Sequence, residues 1–143
     1  MPFNLVTEFN KMTARIMLMC SLGEDVTDME IDYWKNGKVS KKSLSDAMRQ
    51  CFQDLIDRTV WPRLATLKWM LPFYIFKAER EIKRNVMTIR RVIEGIVERK
   101  RAAMKAGNAK SSDFLSLLLT DDAFKNDPKR IIDECLTFFF AGS

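Results

Sequence analysis

The sequence predicts an all-α fold in which residues 1–143 form a single helical region of a larger domain. Apolar residues recur at spacings of three and four along several segments, which is the period of an α-helix. No segment alternates apolar and polar residues for long enough to predict a strand. The few helix-breaking residues divide the chain into about five to seven helices.

The first helix is predicted from about Asn4 to Cys20, with Gly23 as its C-terminal stop. Its large apolar residues share one face, which we expect to be buried: Leu5, Phe9, Met12, Ile16 and Met19. Residues 24–40 are acidic and then polar, so they predict a loop with a turn at Asn36-Gly37. At most one helical turn is expected within this loop, around residues 29–34.

The second helix is predicted from about Ser43 to Thr59, and one of its sides carries apolar residues: Leu44, Met48, Cys51 and Leu55. The aromatic segment Trp61–Phe76 contains Pro62 and Pro72, which argue against one continuous helix and therefore predict short helices and a connection. The third helix is predicted from about Ala78 to Lys105, roughly 40 Å long. Its apolar stripe contains Ile82, Val86, Ile89, Val92, Ile93 and Ile96.

The C-terminal part predicts a short helix over Asp113–Leu119 and a last helix that begins at Asp127-Pro128, an N-cap followed by a helix-starting proline. From Cys135 onward, apolar residues occupy every side of the last helix, so we expect it to be buried all round. Because no stop signal precedes Ser143, we expect the domain to continue beyond it.

The composition excludes several classes of site. The chain has no histidine, so Ser-His and Cys-His nucleophiles and His-ligated metals are ruled out. Its five glycines are too scattered for a phosphate-binding loop. The three cysteines form no C-x-x-C pair and predict reduced intracellular thiols in the core. No signal peptide and no membrane-spanning run are predicted.

The positive charge is concentrated along the third helix. The net charge is +5, and Lys77–Lys110 contains eleven Lys and Arg against four Glu. Such a segment is either a solvated helix face or a surface for an acidic partner or an anionic membrane. Because basic and aromatic residues do not interleave, nucleic acid is not an expected partner.

The chain ends in TFFFAGS, in which Ala141, Gly142 and Ser143 match the first three positions of the pattern small residue, Gly, any residue, acid, Thr. That pattern marks the long helix that crosses the haem in cytochromes P450. Four earlier segments are similar, in order, to elements that precede it in that family: Cys20–Asp25, Arg90–Lys100, Asp113–Leu119 and Ile132–Phe138. The chain therefore resembles an internal fragment of a microsomal-type cytochrome P450, incomplete at both ends.

The resemblance implies a haem-thiolate monooxygenase that inserts one oxygen atom of O2 into an apolar substrate, with an NADPH-dependent reductase as the electron donor. It implies that Ala141 and Gly142 border the haem and that Phe139 and Phe140 border the substrate. It assigns no catalytic residue and no metal ligand, because the family's acid-Thr pair and haem-ligand cysteine loop are missing. We therefore expect the fragment to be inactive alone, and the complete protein to lie at the endoplasmic reticulum membrane.

Three further interpretations accompany the resemblance. The segment Trp61–Phe76 falls where microsomal members contact the membrane, although an ordinary core corner fits it equally well. Glu81 and Arg84 fit the family's E-x-x-R spelling but precede the central helix, so an ion pair on a helix is expected instead. Ala141 and Gly142 also fit a contact between two helices.

The alternative for the whole chain is a basic helical module that binds an acidic partner or an anionic membrane.

Overall fold

The computed structural model describes residues 5–60, 72–108 and 112–142, and all their side chains except those of 58–60 and 72–79. The predicted, mostly helical fold is confirmed. The described residues form five helices and one two-stranded antiparallel sheet: α1 (Leu5–Leu22), β1 (Glu30–Lys35), β2 (Lys38–Ser43), α2 (Leu44–Val60), α3 (Pro72–Lys105), α4 (Phe114–Thr120) and α5 (Pro128–Gly142).

The chain divides into two compact units. The terminal unit contains Met1–Asp28 and Arg90–Ser143, and the central unit contains Met29–Ile89. Helix α3 contributes to both units. The central unit has 12 Lys and Arg against 7 Asp and Glu, whereas the terminal unit has 12 of each. The whole net charge of +5 therefore belongs to the central unit.

Helix α1 buries a different face from the one predicted. Its buried residues are Ala14, Leu18, Ser21 and Leu22. The predicted core stripe is exposed, with fractional exposures of 69% for Leu5, 61% for Phe9, 53% for Met12, 50% for Ile16 and 48% for Met19. Leu18 follows Ile16 by two residues, or roughly 200° around the helix, so the helix has two apolar faces. Packing against α4 and α5 selects the face with the smaller residues.

The loop predicted for residues 24–40 is wrong, because most of it forms a β-hairpin. Strands β1 and β2 pair from Lys35↔Lys38 to Glu30↔Ser43. The turn predicted at Asn36-Gly37 is confirmed, and both residues have positive φ, 54° and 78°. Positive φ at both central residues is the requirement of a two-residue hairpin turn, which Asn-Gly meets at low cost.

Helices α2 and α3 follow the predicted patterns with one change of length. In α2, Leu44, Met48 and Cys51 are buried, while Leu55 is half-exposed. Helix α3 has 34 residues, or roughly 51 Å, because it begins at Pro72 rather than near Ala78. Proline is accepted at a first helical position because the N–H it lacks has no partner there. The connection predicted within 61–71 falls outside the described residues.

The N-cap predicted at Asp127 is confirmed, whereas Asp113, the first residue of the predicted short helix, is instead the N-cap of α4. The Asp113 carboxylate accepts a hydrogen bond from the Ser116 N–H at 2.8 Å, and Asp127 accepts one from the Arg130 N–H at 3.1 Å. Helix α5 is not buried all round, however. Its buried face contains Ile131, Ile132, Cys135 and Phe139, whereas the opposite side is open from residue 133 to residue 141.

Candidate functional site on the last helix

The three consecutive phenylalanines of α5 have different surroundings. Phe139 is 1% exposed and lies in the core of the terminal unit. Phe138 stacks on Phe114 of α4 with a centroid separation of 4.6 Å. Phe140 is half-buried and meets the Phe139 ring edge-on at 5.8 Å. Of the two residues predicted to face the substrate, only Phe140 therefore has part of its side chain outside the core. Phe139 is buried and packs against the Phe140 ring.

The predicted haem-facing residues, Ala141 and Gly142, lie on different sides of α5. Ala141 is exposed, whereas a Cβ on Gly142 would lie 2.6 Å from the sulfur of Met17 on α1. The Met17 side chain therefore packs directly against the Gly142 backbone, and a side chain at position 142 would require Met17 to move. This is the helix–helix contact that the sequence left open as an alternative for the Ala-Gly pair.

Thr137 lies on the open face together with Ala141, one helical turn before it. Its hydroxyl donates to the Asp133 carbonyl at 2.8 Å, which satisfies the group within the helix. The Asp133 carboxylate is itself paired with Arg90 of α3 at 2.6 Å. Sequence reasoning missed Thr137, although its spacing of four from Ala141 indicates a shared face.

The cysteines are not suited to ligate a haem iron. Burial, and secondarily the Asp54 charge, raise the pKa of the Cys51 thiol to about 11. Burial, with Asp113 and Glu134, raises the pKa of Cys135 to about 12. Cys51 and Cys135 are each only 2% exposed, so a planar macrocycle cannot reach either sulfur atom without opening the core.

Cys20 departs from the prediction of a core thiol, because it lies exposed beside the outer face of α1. Residues 5–60, 72–108 and 112–142 contain no cluster of three or more His, Cys, Asp or Glu that could hold a metal ion. Among the same residues, no helix combines the length and apolar composition that crossing a bilayer requires.

Glu81 and Arg84 serve separate contacts with the hairpin rather than forming the expected helical pair. The Glu81 carboxylate accepts hydrogen bonds from the N–H groups of Asn36 and Gly37, so it fixes the turn. The Arg84 guanidinium lies over the Trp34 ring, 4.3 Å from its centroid. The structure thus gives both residues a structural role.

Gly23 ends α1 at a crowded position. Its φ is +72°, and a Cβ there would lie 2.8 Å from the Lys100 ammonium nitrogen and 2.7 Å from the Asp113 carboxyl carbon. Lys100 and Asp113 form an ion pair of 2.7 Å whose side chains are only 11% and 8% exposed. Because Gly23 has no side chain, the end of α1 can lie directly beside Asp113, the N-cap of α4.

A family model for cytochrome P450 matches residues 1–143, so the chain belongs to the cytochrome P450 family. It is 31% identical over 88 residues to Cytochrome P450 CYP72A613 of Trigonella foenum-graecum, which covers 54% of this chain and 16% of that protein. It is 29% identical over 87 residues to 11-oxo-beta-amyrin 30-oxidase of Glycyrrhiza uralensis, covering 53% of this chain and 16% of that protein. The chain thus matches about one sixth of the length of each relative. No solved structure matches it.

Family membership implies haem as the cofactor of the complete protein. The two buried cysteines do not fit its axial ligation, since each is only 2% exposed within the packed core. The described residues offer instead a helix, α5, with one packed face and one open face.

Proposed function

We propose that this chain supplies substrate-channel helices and the first half of the haem-facing helix of a monooxygenase that inserts one atom of O2 into an apolar substrate. The observation that carries the proposal is the match of the cytochrome P450 family to residues 1–143. When bound, haem supplies the O2 chemistry. The residues of this chain contribute shape and apolar surface.

The open face of α5 is the part of the chain that we assign to this role. Thr137 and Ala141 are exposed on this face, one helical turn apart, and we propose that a planar group lies against these small residues. Phe140 flanks it and would contact an apolar substrate, with Phe139 behind it in the core. Gly142 contributes through the backbone, since its side is occupied by Met17. No residue of this chain is assigned a proton-transfer or ligand role.

The apolar character of the substrate is supported by this surface and by one relative, whose name describes the oxidation of 11-oxo-beta-amyrin. The complete enzyme would take electrons from an NADPH-dependent reductase. We place the complete enzyme at the endoplasmic reticulum membrane. The proposed membrane contact through Trp61–Phe76 falls on residues whose side chains the structure does not describe.

The proposal predicts that the 143-residue chain neither holds haem stably nor turns over. The chain would be purified with haem, reduced and exposed to CO, and we expect no thiolate-type Soret band because Cys51 and Cys135 are buried in the core and out of reach of a haem iron. The matched controls are Cys20→Ala, Cys51→Ala and Cys135→Ala. A stable thiolate band that one of these substitutions removes would identify an axial ligand within the chain and overturn the assignment.

The coding sequence downstream of Ser143 tests the monooxygenase itself. We expect an acid and a threonine within the next few codons, since the chain ends after three positions of that pattern. An E-x-x-R motif and a cysteine-containing loop should follow further on. A frame that continues without these elements would contradict the proposed activity while leaving the fold unaffected.

A further inference from the structure

The two edges of the hairpin differ in how their backbone groups are satisfied. In β1, the Trp34 N–H donates to the Asn85 side-chain oxygen, and the Asn85 amide donates to the Trp34 carbonyl, both at 2.8 Å. Asn85 is 2% exposed and belongs to α3. Its side chain thus occupies the outer edge of β1 in the manner of a neighbouring strand.

The contact with Asn85 also shows which backbone N–H and C=O groups of β2 point away from β1. Residue pairs in an antiparallel hairpin alternate between those that exchange hydrogen bonds and those that do not. Because the backbone groups of Trp34 point to Asn85, its partner Val39 belongs to a pair without mutual hydrogen bonds. The next such pair along the ladder is Asp32↔Lys41. The N–H and C=O groups of Val39 and Lys41 therefore face away from β1.

The outward edge of β2 is open in the part of the chain that the structure describes. Within residues 5–60, 72–108 and 112–142, the N–H groups of Val39 and Lys41 have no acceptor on this side, and residues 38–41 are all exposed. The Val39 side chain is 47% exposed. An exposed row of unpaired backbone groups is a template for one more strand.

The hairpin is held in a fixed position, so this edge is formed before any partner arrives. The Tyr33 hydroxyl, itself buried, donates to Asp54 of α2 at 2.8 Å, and Lys35 pairs with the same carboxylate at 3.3 Å. Together with Asn85 and Glu81 of α3, these contacts attach β1 and the turn to two helices. Binding to a preformed edge avoids much of the ordering cost.

The surroundings of the edge are positively charged. Lys38, Lys41 and Lys42 lie on β2, and a concavity of about 640 Å³ opens between β2 and the start of α2. Lys41, Lys42 and Arg49 line this concavity; its one acid among the described residues, Asp46, is paired with Arg49 at 3.3 Å. Carboxylates are the complementary groups for such a lining.

We propose that the outer edge of β2 binds an extended, acidic segment of a partner protein, which adds as a third strand. The backbone of Val39 and Lys41 would supply the hydrogen bonds, and the lysines with the concavity would select acidic side chains. The same lysines disfavour a second copy of this chain, because two β2 edges would place like charges opposite each other. The proposal does not depend on the proposed function.

The test is a binding titration of the full chain with a labelled synthetic peptide of about eight residues that alternates glutamate and valine. Val39→Pro removes one outward N–H but leaves the ladder to β1 intact, since proline is tolerated at an outward-facing edge position. We expect it to weaken binding about tenfold, the effect of losing one hydrogen bond and its geometry. The matched control Val39→Thr keeps the N–H and should leave the affinity within about twofold.

A second probe needs no variant of the chain. The same acidic peptide with alternate backbone N-methyl groups cannot form the edge hydrogen bonds and should bind the unaltered chain at least about tenfold more weakly. Lys41→Glu should abolish binding of the acidic peptide and permit binding of its lysine counterpart.

Three outcomes would overturn the proposal. Equal binding of the plain and N-methylated peptides would show that charge alone attracts them. Binding to phosphatidylserine vesicles that Lys41→Glu abolishes and Val39→Pro does not would identify an anionic membrane surface instead. Dimerisation that Val39→Pro prevents would identify a second copy as the occupant.

Discussion

At the residue scale, Gly23 and Gly107 form a natural comparison. Both have a positive φ, +72° and +75°, and both follow a helix. The space around them differs, because a Cβ on Gly107 would meet nothing within 4 Å, whereas one on Gly23 would enter the Lys100–Asp113 ion pair. Alanine would therefore strain the backbone at both positions, but it would clash with neighbouring side chains only at Gly23.

We expect Gly107→Ala to lower the free energy of unfolding by about 1 kcal/mol, the cost of a left-handed alanine. Gly23→Ala should lower it by roughly 2–4 kcal/mol, because it also displaces a buried ion pair. Urea unfolding followed by circular dichroism measures both changes. Equal losses of unfolding free energy for the two variants would show that Lys100 and Asp113 move aside for a methyl group without destabilising the fold.

At the element scale, α1 shows how a helix with two apolar faces is divided between core and surface. Leu18 is 0% exposed and Ile16 is 50% exposed, although both are aliphatic and two residues apart. The outer stripe contains the larger side chains: Leu5, Phe9, Met12, Ile16 and Met19. A stripe of this size on a single helix is a surface on which an apolar dye binds.

Truncation to alanine on the two faces should therefore have different costs. We expect Leu18→Ala to lower the free energy of unfolding by about 3 kcal/mol, since it leaves a cavity in the core. Ile16→Ala should change it by about 0.5 kcal/mol or less and should reduce dye binding to the native chain. The comparison requires only denaturation curves and a fluorescence titration. A larger loss for Ile16→Ala would mean that α1 is rotated about its axis.

The elements also show what the sequence pattern predicts and where it fails. Caps are local, so the N-cap at Asp127 was predicted correctly from the proline that follows it. The buried face of α1 is not local, because it depends on α4 and α5 packing against the smaller residues. The hairpin was missed because β2 consists largely of exposed lysine and serine, so only β1 shows a buried–exposed alternation.

Part of the candidate site can be predicted from the sequence of α5, and part depends on how other helices pack against it. The spacing of four between Thr137 and Ala141 is enough to predict a common face. That Gly142 faces α1, however, depends on the position of Met17, which no pattern along α5 contains. Equally, the exposure of Cys20 follows from the choice of face in α1 and not from its own neighbours in sequence.

At the scale of the whole molecule, the buried thiols make stability depend on alkaline pH. Their pKa values are raised from 9.0 to about 11 for Cys51 and about 12 for Cys135. Below about pH 9 both states of the chain keep these protons, so the thiols add no pH dependence. Above it the unfolded chain releases protons that the folded chain retains, which favours unfolding. Tyr33, whose pKa is also raised by burial and Asp54, acts in the same direction at higher pH.

We expect the free energy of unfolding to fall by about 1.4 kcal/mol per pH unit for each buried thiol between about pH 9 and the folded pKa. Urea titrations at a series of pH values measure this slope. The double variant Cys51→Ala with Cys135→Ala should flatten it. An unchanged slope in the double variant would assign the alkaline loss to other groups.

The hydrogen bonds between Asn85 and β1 limit which substitutions this hairpin tolerates. One carboxamide, rather than a length of polypeptide, closes one flank of the hairpin. Without this carboxamide, the N–H and C=O of Trp34 would lose their partner while α3 still covers them, because Asn85 is only 2% exposed. Two backbone groups left unsatisfied in this way cost free energy, so evolution at position 85 is confined to side chains that can both donate and accept a hydrogen bond.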